Sequence, residues 1–161
     1  MKHALALIVF LLISYSSDAQ RLRTTFTKDF SRWEFDGNTF RTVFSNDWDN
    51  WECGSTRIKT VFSNDWDNWK IGSEVTLKTI FSNDFDSWEI RGFGKTIKVR
   101  TTFSDDYERW DLSGDADGTL RTVFSNDFER WEIDIEGADL EDDLIKAIVF
   151  IPMITCFQEL Y

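Results

Sequence analysis

One block of sequence recurs six times between residues 20 and 135, and it constrains the fold more than any other feature of the chain. The block reads basic, Thr, aliphatic, Phe, Ser, Asn, Asp, aromatic, two variable residues, Trp and acidic, with small variations. Its Phe falls at Phe26, Phe44, Phe62, Phe81, Phe103 and Phe124. Its Trp follows seven residues later, at Trp33, Trp51, Trp69, Trp88, Trp110 and Trp131. Such a fixed period indicates one supersecondary unit that was copied and stacked.

The residue pattern inside one block is that of a β-hairpin. In residues 40–53, side chains that favour a core alternate with polar ones, which is the period of a strand and not of a helix. Asn46 and Asp47 sit where a two-residue turn belongs, and both residue types tolerate a left-handed backbone. We therefore expect Phe40 to Ser45 and Trp48 to Cys53 to pair across that turn.

This register predicts which side chains share a face. Arg41 faces Glu52 on the outer side, while Phe44, Trp51 and Cys53 lie on the core side. The same opposition of charges recurs in other blocks as Arg23/Glu34, Lys78/Glu89, Arg100/Asp111 and Arg121/Glu132, whereas in the third block Lys59 would face Lys70. Opposite charges that face each other across strands are favourable, so the recurrence supports the register.

Six hairpins give about twelve short antiparallel strands in an up-and-down meander over residues 20–137. The blocks differ in length only between hairpins, where glycine-rich turns connect them. We expect an all-β fold in which the sheet forms a barrel or is strongly curled, because closure removes exposed edge strands. In plan the array resembles the hairpin-per-repeat arrays of the MORN type, but their glycine pattern is absent, so the resemblance implies no function.

The two ends of the chain leave the repeat pattern. Residues 1–19 have the basic start, the short apolar run and the small-residue exit of a secretory signal peptide. Residues 138–161 form an apolar segment that predicts a helix packed on or inside the sheet, with Asp139 as its cap and Pro152 as its kink or end. Cys156 in this segment and Cys53 in the second block are candidates for a disulfide if the two regions meet.

Composition excludes several classes of function. The formal net charge is −11, which repels nucleic acid and anionic lipid. The only histidine, His3, lies in the signal peptide, so the mature chain has no histidine for a catalytic triad or a metal site. The strands are short and one face is charged, which argues against a transmembrane barrel.

The aromatic residue beside each turn is the best candidate for a binding site. In the predicted register it lies on the face opposite the core Trp, flanked by Asn and Asp. Flat rings that recur every ~9.6 Å, twice the strand spacing, suit a repeating glycan. The candidate ligand-binding residues are Phe30, Trp48, Trp66, Phe85, Tyr107 and Phe128, together with Asp47, Asp65, Asp84 and Asp127. The alternative interpretation is that these rings pack against the sheet.

We therefore expect an exported, non-enzymatic structural or binding module in the periplasm, on the cell surface or outside the cell. Its partner would be a glycan, a cell-envelope polymer or an envelope protein. One alternative is a protein-interaction or Ca²⁺-binding repeat, since the strip of turn carboxylates offers the oxygen ligands that Ca²⁺ prefers, although no other cofactor is indicated. A carboxylate-based glycoside hydrolase is a further alternative, but six near-identical turns do not provide the asymmetric site that it needs.

Overall fold

The repeats form a closed barrel of twelve antiparallel strands in a simple meander, in which β1 pairs with both β2 and β12. The structure is a computed structural model that describes residues 19–136 and 139–160. The strands are β1 (Gln20–Thr24), β2 (Arg32–Phe35), β3 (Asn38–Thr42), β4 (Asn50–Cys53), β5 (Thr56–Thr60), β6 (Asn68–Ile71), β7 (Val75–Thr79), β8 (Ser87–Gly92), β9 (Lys95–Thr101), β10 (Arg109–Gly114), β11 (Asp117–Thr122) and β12 (Arg130–Glu136). One helix follows, α1 (Asp142–Leu160). The predicted fold class is confirmed, with the barrel closed.

The register predicted from the charge pairs is also confirmed. Arg41 lies opposite Glu52 and Thr42 opposite Trp51. The corresponding ion pairs measure 2.6 Å for Arg41–Glu52, 2.7 Å for Arg121–Glu132 and 3.1 Å for Arg23–Glu34. They are largely exposed, so each contributes little to stability and mainly marks the alignment of the strands.

The turns within the hairpins are longer than predicted. Seven residues, not two, connect the strands of each repeat, and they occupy 25–31, 43–49, 61–67, 80–86, 102–108 and 123–129. We call these the first to sixth long loops. In the second one, Ser45 and Trp48 do not pair, and Phe44 has left the sheet. The strand register survives because Val43 still donates its N–H to the Asn50 carbonyl at 2.9 Å.

The connections between repeats are the tight ones, and they lie at the opposite rim of the barrel. Asp36-Gly37 and Phe93-Gly94 are two-residue turns in which both residues have positive φ, between 46° and 75°. Turns with this backbone match the right-handed twist of the paired strands. The two rims therefore differ, with six long loops at one and short turns at the other.

The barrel interior is filled by tryptophan and by α1. All six repeat Trp residues are buried, with at most 1% of each side chain exposed. In α1, the five consecutive residues Ala147 to Ile151 are each 0% exposed. Successive helical residues point about 100° apart, so only a surrounding wall can bury five in a row. The helix therefore lies within the barrel, closest to β6, β7 and β8.

Polar contacts at the short-turn rim hold the start of α1. Lys146 donates to Thr56 Oγ1 at 2.7 Å and pairs with Asp142 at 2.5 Å, while Asp143 accepts from Thr56 at 2.8 Å. Burial opposes the charge on Lys146, but the hydrogen bond and charge of Asp142 outweigh it, so the Lys146 pKa is raised. Gly72 has a φ of 59°, which favours glycine, and a Cβ there would also displace the Asp143 carboxylate.

One expectation about α1 was wrong, and one of the two alternatives for Pro152 is excluded. Asp139 is not its cap, because the helix begins at Asp142 and the Asp139 carbonyl accepts a hydrogen bond from Lys95 at 2.7 Å. Pro152 does not end the helix, which continues to Leu160. Enclosure by the barrel explains this tolerance, since packing around the helix compensates for the backbone hydrogen bond that proline cannot make.

Cys53 and Cys156 are both buried thiols, and no disulfide joins them. Cys53 lies opposite Thr56, whose hydroxyl accepts a hydrogen bond from Lys146 near the start of α1, whereas Cys156 lies ten residues further along the helix. At 1.5 Å per residue that is roughly 15 Å, too far for a disulfide. Burial raises the pKa of the Cys53 thiol to about 11. Cys53 thus occupies its repeat position as a small hydrophobic residue, as expected.

The predicted signal peptide lies outside the described residues, apart from its last residue. In the part of the chain that the structure covers, no helix has the length and apolar character that crossing a membrane requires.

Replacing Phe150 by Ala should destabilise the protein by about 3–5 kcal/mol, because it leaves a cavity at the centre of the barrel. The Phe150 ring meets Trp69 edge-on at 4.9 Å and Trp51 at 5.6 Å between centroids. Guanidinium denaturation followed by circular dichroism measures the change. Phe62→Ala, at a side chain that is 69% exposed, is the matched control and should change stability by less than about 0.5 kcal/mol. Equal effects of the two substitutions would contradict the placement of α1.

Candidate functional site

The long-loop rim carries six exposed phenylalanines, one from each repeat. They are Phe26, Phe44, Phe62, Phe81, Phe103 and Phe124, and between 58% and 69% of each side chain is exposed. We call this set the Phe crown. The prediction that these residues belong to the core was wrong. Contiguous exposure of large apolar side chains is uncommon on soluble proteins and marks interaction surfaces, so the crown is the candidate functional site.

The backbone of each long loop explains why its Phe points outward. In the second loop the Phe44 carbonyl accepts the N–H of Asp47 at 3.2 Å, which closes a turn around Ser45 and Asn46. Asn46 has a φ of 60°, and the equivalent residues of the other loops have φ between 58° and 61°. Asn and Asp adopt this left-handed conformation most readily. The turn therefore begins at the Phe itself, which can no longer lie on the core face of the strand.

The Asp directly before the turn-side aromatic, which we call the first Asp of the loop, stabilises the second half of that loop through a hydrogen bond. Its Oδ1 accepts the N–H two residues further on, at 3.2 Å for Asp47, 3.2 Å for Asp65, 3.0 Å for Asp84 and 3.1 Å for Asp127. This is the local side-chain-to-backbone bond for which Asp is favoured in turns. The four predicted site aspartates thus lie at one rim, as expected, and each serves its own loop.

The six turn-side aromatics are half-buried and packed on the core, contrary to the expectation that they lie on the opposite face. Each ring contacts the Trp of its own repeat, with centroid distances from 5.8 Å for Phe30–Trp33 to 6.5 Å for Trp66–Trp69. The backbone carbonyl of each aromatic also accepts a hydrogen bond from the indole N–H of that Trp. The distance is 2.9 Å from Trp51 Nε1 to the Trp48 carbonyl oxygen and 2.7 Å from Trp69 Nε1 to the Trp66 carbonyl oxygen. These contacts favour the packing interpretation, in which one face of each ring is covered.

The second carboxylate of a loop ties it to the next loop around the rim. Asp49 Oδ2 accepts the N–H of Asn64 at 2.8 Å, and Asp67 Oδ2 accepts that of Asn83 at 2.9 Å. The same kind of bond joins the remaining loops: Asp86 accepts from the N–H of Asp105, Glu108 from that of Asn126, and Glu129 from that of Lys28. The last of these bonds joins the sixth loop to the first, so the five bonds link all six loops in sequence and leave one gap, between the first and second loops. Ser31 holds this position in the first loop and instead donates to its own Asp29 at 2.5 Å.

Two of these linking carboxylates are not fully satisfied. Asp49 Oδ1 accepts the indole N–H of Trp66 at 3.1 Å. Among the described residues, no group donates to the buried Asp67 Oδ1 or the buried Asp86 Oδ1. The aromatics at the position of Trp66 in the next two loops are Phe85 and Tyr107, neither of which carries an indole N–H.

A cleft of about 420 Å³ lies between the third and fourth long loops. Its lining includes Trp66 and Phe85 and the polar residues Asn64, Asp65 and Asn83. Of the predicted ligand-binding residues, the structure thus brings Trp66, Asp65 and Phe85 together in one depression. It distributes the others around the rim, one loop at a time.

Within residues 19–136 and 139–160, no group of three or more His, Cys, Asp or Glu side chains is arranged to hold a metal ion. Comparison with known proteins gives no further assignment. No protein-family model, curated protein or solved structure matches the chain.

Sequence reasoning missed the Phe crown because it assigned the wrong turn. The signal that was available is the pair of acids in each loop, such as Asp47 and Asp49. Asp47 follows an Asn in the left-handed conformation, and its carboxylate accepts the N–H of the residue two positions later. A loop with both features is longer than a two-residue turn. Reading the block with such a loop moves Phe44 out of the strand without changing the register.

Replacing Phe85 by Trp should stabilise the protein by about 1 kcal/mol, because the new indole N–H reaches the unsatisfied Asp67 Oδ1. Trp48 and Trp66 occupy the same position in two other loops, so the site accommodates an indole. Chemical denaturation followed by circular dichroism measures the change. Trp66→Phe is the reciprocal control, and it should destabilise by at least about 1 kcal/mol because it leaves Asp49 Oδ1 unpaired. A destabilising Phe85→Trp in a folded protein would contradict this account.

Proposed function

We propose that the protein is an exported, non-enzymatic binding module that engages an extracytoplasmic partner through the Phe crown. The observation that carries this proposal is the exposure of six phenylalanines, 58–69% each, at the same rim. Their outward position is produced by ordered loops that are hydrogen-bonded within themselves and to one another. A surface that keeps large apolar groups exposed on a well-ordered support is typical of a preformed binding site.

The arrangement of the carboxylates supports a binding role over catalysis. In each of the second to sixth loops, the acid directly before the turn-side aromatic accepts a backbone N–H of its own loop, and the acid directly after that aromatic accepts one from the neighbouring loop. These bonds give the five loops similar local environments. Acid–base catalysis by two carboxylates needs one of them to differ from the other in environment, as in glycosidases.

The crown proposal predicts that binding depends on the exposed rings. A library of random peptides displayed on phage is selected against the wild-type protein, and the enriched peptides are tested on the Phe44→Ser, Phe62→Ser and Phe81→Ser triple variant. The three side chains are exposed, so the variant should keep its fold while losing most of the binding. Phe93→Ser is the matched control, because Phe93 is 45% exposed at the opposite rim. Enriched peptides that bind the triple variant as well as wild type would refute the proposal.

A second candidate function is contact with a glycan, and the cleft between the third and fourth long loops favours it. The aromatic residues Trp66 and Phe85 line it together with Asn64, Asp65 and Asn83. Pockets of this kind combine apolar surface with a few polar groups that fix the orientation of a ligand. The site is smaller than the six-ring array expected from sequence, and it would take one or two sugar units.

For the glycan function, Trp66→Ala should abolish retention on the polysaccharides that hold the wild-type protein in an affinity-gel or pull-down panel. Phe128→Ala is the matched control, because it removes the equivalent ring from the sixth loop, outside the cleft. The melting temperatures of both variants show whether they remain folded. Equal retention of wild type and a folded Trp66→Ala variant would exclude the cleft as a glycan site.

A further inference from the structure

One crown phenylalanine already binds a cation within the protein. In the sixth long loop, the guanidinium carbon of Arg130 lies 5.0 Å from the centroid of the Phe124 ring. The same guanidinium donates from Nε to Asp127 Oδ2 at 2.7 Å, and its Nη2 lies 2.6 Å from that oxygen. The cation is thus held between an aromatic face and a carboxylate, both of which attract it. Phe124 is accordingly the least exposed member of the crown, at 58%.

The Phe and the Asp of this arrangement recur in every long loop, but the arginine does not. Arg130 is the first residue of β12, directly after its loop. The equivalent positions after the first and fifth loops hold Arg32 and Arg109, and those after the second, third and fourth hold Asn50, Asn68 and Ser87. The second to fourth loops therefore present the ring and the carboxylate without an arginine of their own. In two of them a neutral amide contacts the carboxylate instead, since Asn50 donates to Asp47 Oδ2 at 2.8 Å and Asn68 to Asp65 Oδ2 at 3.0 Å. The pairs are Phe44 with Asp47, Phe62 with Asp65 and Phe81 with Asp84.

The charge of the rim selects the class of partner. The six long loops contain twelve Asp or Glu residues and a single Lys, Lys28. Such a surface repels anionic lipid, nucleic acid and the same rim of a second copy of the chain, and it attracts cationic groups. Apolar rings among these acids add a stacking surface that suits the flat, weakly hydrated guanidinium better than the compact ammonium of lysine.

We propose that the second, third and fourth long loops bind the arginine side chains of a partner protein segment, with each guanidinium between the crown Phe and the first Asp of its loop. This inference rests on the proposed function and names the chemistry of its partner. Adjacent loops are two strands apart, roughly 10 Å. Three residues of a peptide in the polyproline II conformation span about 9 Å, at about 3.1 Å per residue, and every third side chain of this helix lies on the same side. The matching ligand is a polyproline II segment with arginine at every third position.

The first test compares peptides of one composition and two spacings. A nine-residue peptide of sequence RGSRGSRGS carries arginine every third residue, and RRRGSGSGS has the same charge with its arginines adjacent. Fluorescence anisotropy with labelled peptides should give an affinity for the spaced peptide that is higher by roughly fivefold or more, because it fills three sites where the other fills fewer. The Phe44, Phe62 and Phe81 triple serine variant keeps the charge of the rim and should remove this difference. Equal affinities for the two peptides would overturn the proposal in favour of general charge attraction.

The second test fills one site from within. Ser87→Arg places an arginine beside Phe81 and Asp84 at the position that Arg130 holds beside Phe124 and Asp127. It should weaken binding of the spaced peptide roughly two- to fivefold by occupying the fourth-loop site. Ser113→Arg, at an exposed position in β10 away from the long loops, adds the same charge and is the matched control. Equal weakening by the two variants would also overturn the proposal.

The outcomes separate this inference from the proposed function. If the phage selection yields peptides whose binding depends on the crown but which contain no arginine, the crown is a binding surface and the arginine inference fails. If selection yields no crown-dependent peptide and the spaced peptide shows no preference, both fail together.

Discussion

The width of the barrel is the constraint on which the rest of the structure depends. Side chains of the strands can fill a barrel of about eight strands, and a wider one encloses space that something else must occupy. Twelve strands are joined here, and six buried Trp residues together with α1 take up the interior. This explains why α1 is apolar on all sides, whereas a surface helix would have one polar face. It also explains why, among the helix side chains that the structure describes, those that bond to polar groups of the strands lie at the start, where Lys146 and Asp143 contact Thr56.

The same tryptophans connect the interior to the shape of the rim. A buried indole N–H needs an acceptor, and in each repeat it finds the carbonyl of the turn-side aromatic three residues earlier, at 2.7–3.1 Å. That bond draws the second half of the long loop down onto the core, with its aromatic ring packed on the Trp. The first half, with the Phe, is left above the sheet. The exposure of the Phe crown is thus a consequence of the hydrogen bonds that the buried Trp indoles make with the loop backbone.

Sequence could predict the sheet and not the loops, and the reason lies in the range of the interactions. Charges such as Arg41 and Glu52 face each other directly across paired strands, so a repeated sequence pattern reveals their register. The exposure of Phe44 depends on several bonds at once: the turn at Asn46, the Asp47 carboxylate and the Trp51 indole. Alternation assigns Phe44 to the core face because it assumes that the strand continues to the turn. The position of α1 inside the barrel, left open by the sequence, follows only from the number of strands that close around it.

The acids of the rim have two roles that reinforce each other. Asp67 and its equivalents each accept a backbone N–H of the next loop with one carboxylate oxygen, and this bond fixes the distance between neighbouring loops. The first Asp of each loop supports the backbone through Oδ1 and directs Oδ2 elsewhere, to Arg130 in the sixth loop and to Asn50 in the second. An apolar ring set among such charges is protected from association with its own kind, since two acidic rims repel each other. The same repulsion makes an exposed phenylalanine less prone to self-association, and it disfavours partners that bring negative charge.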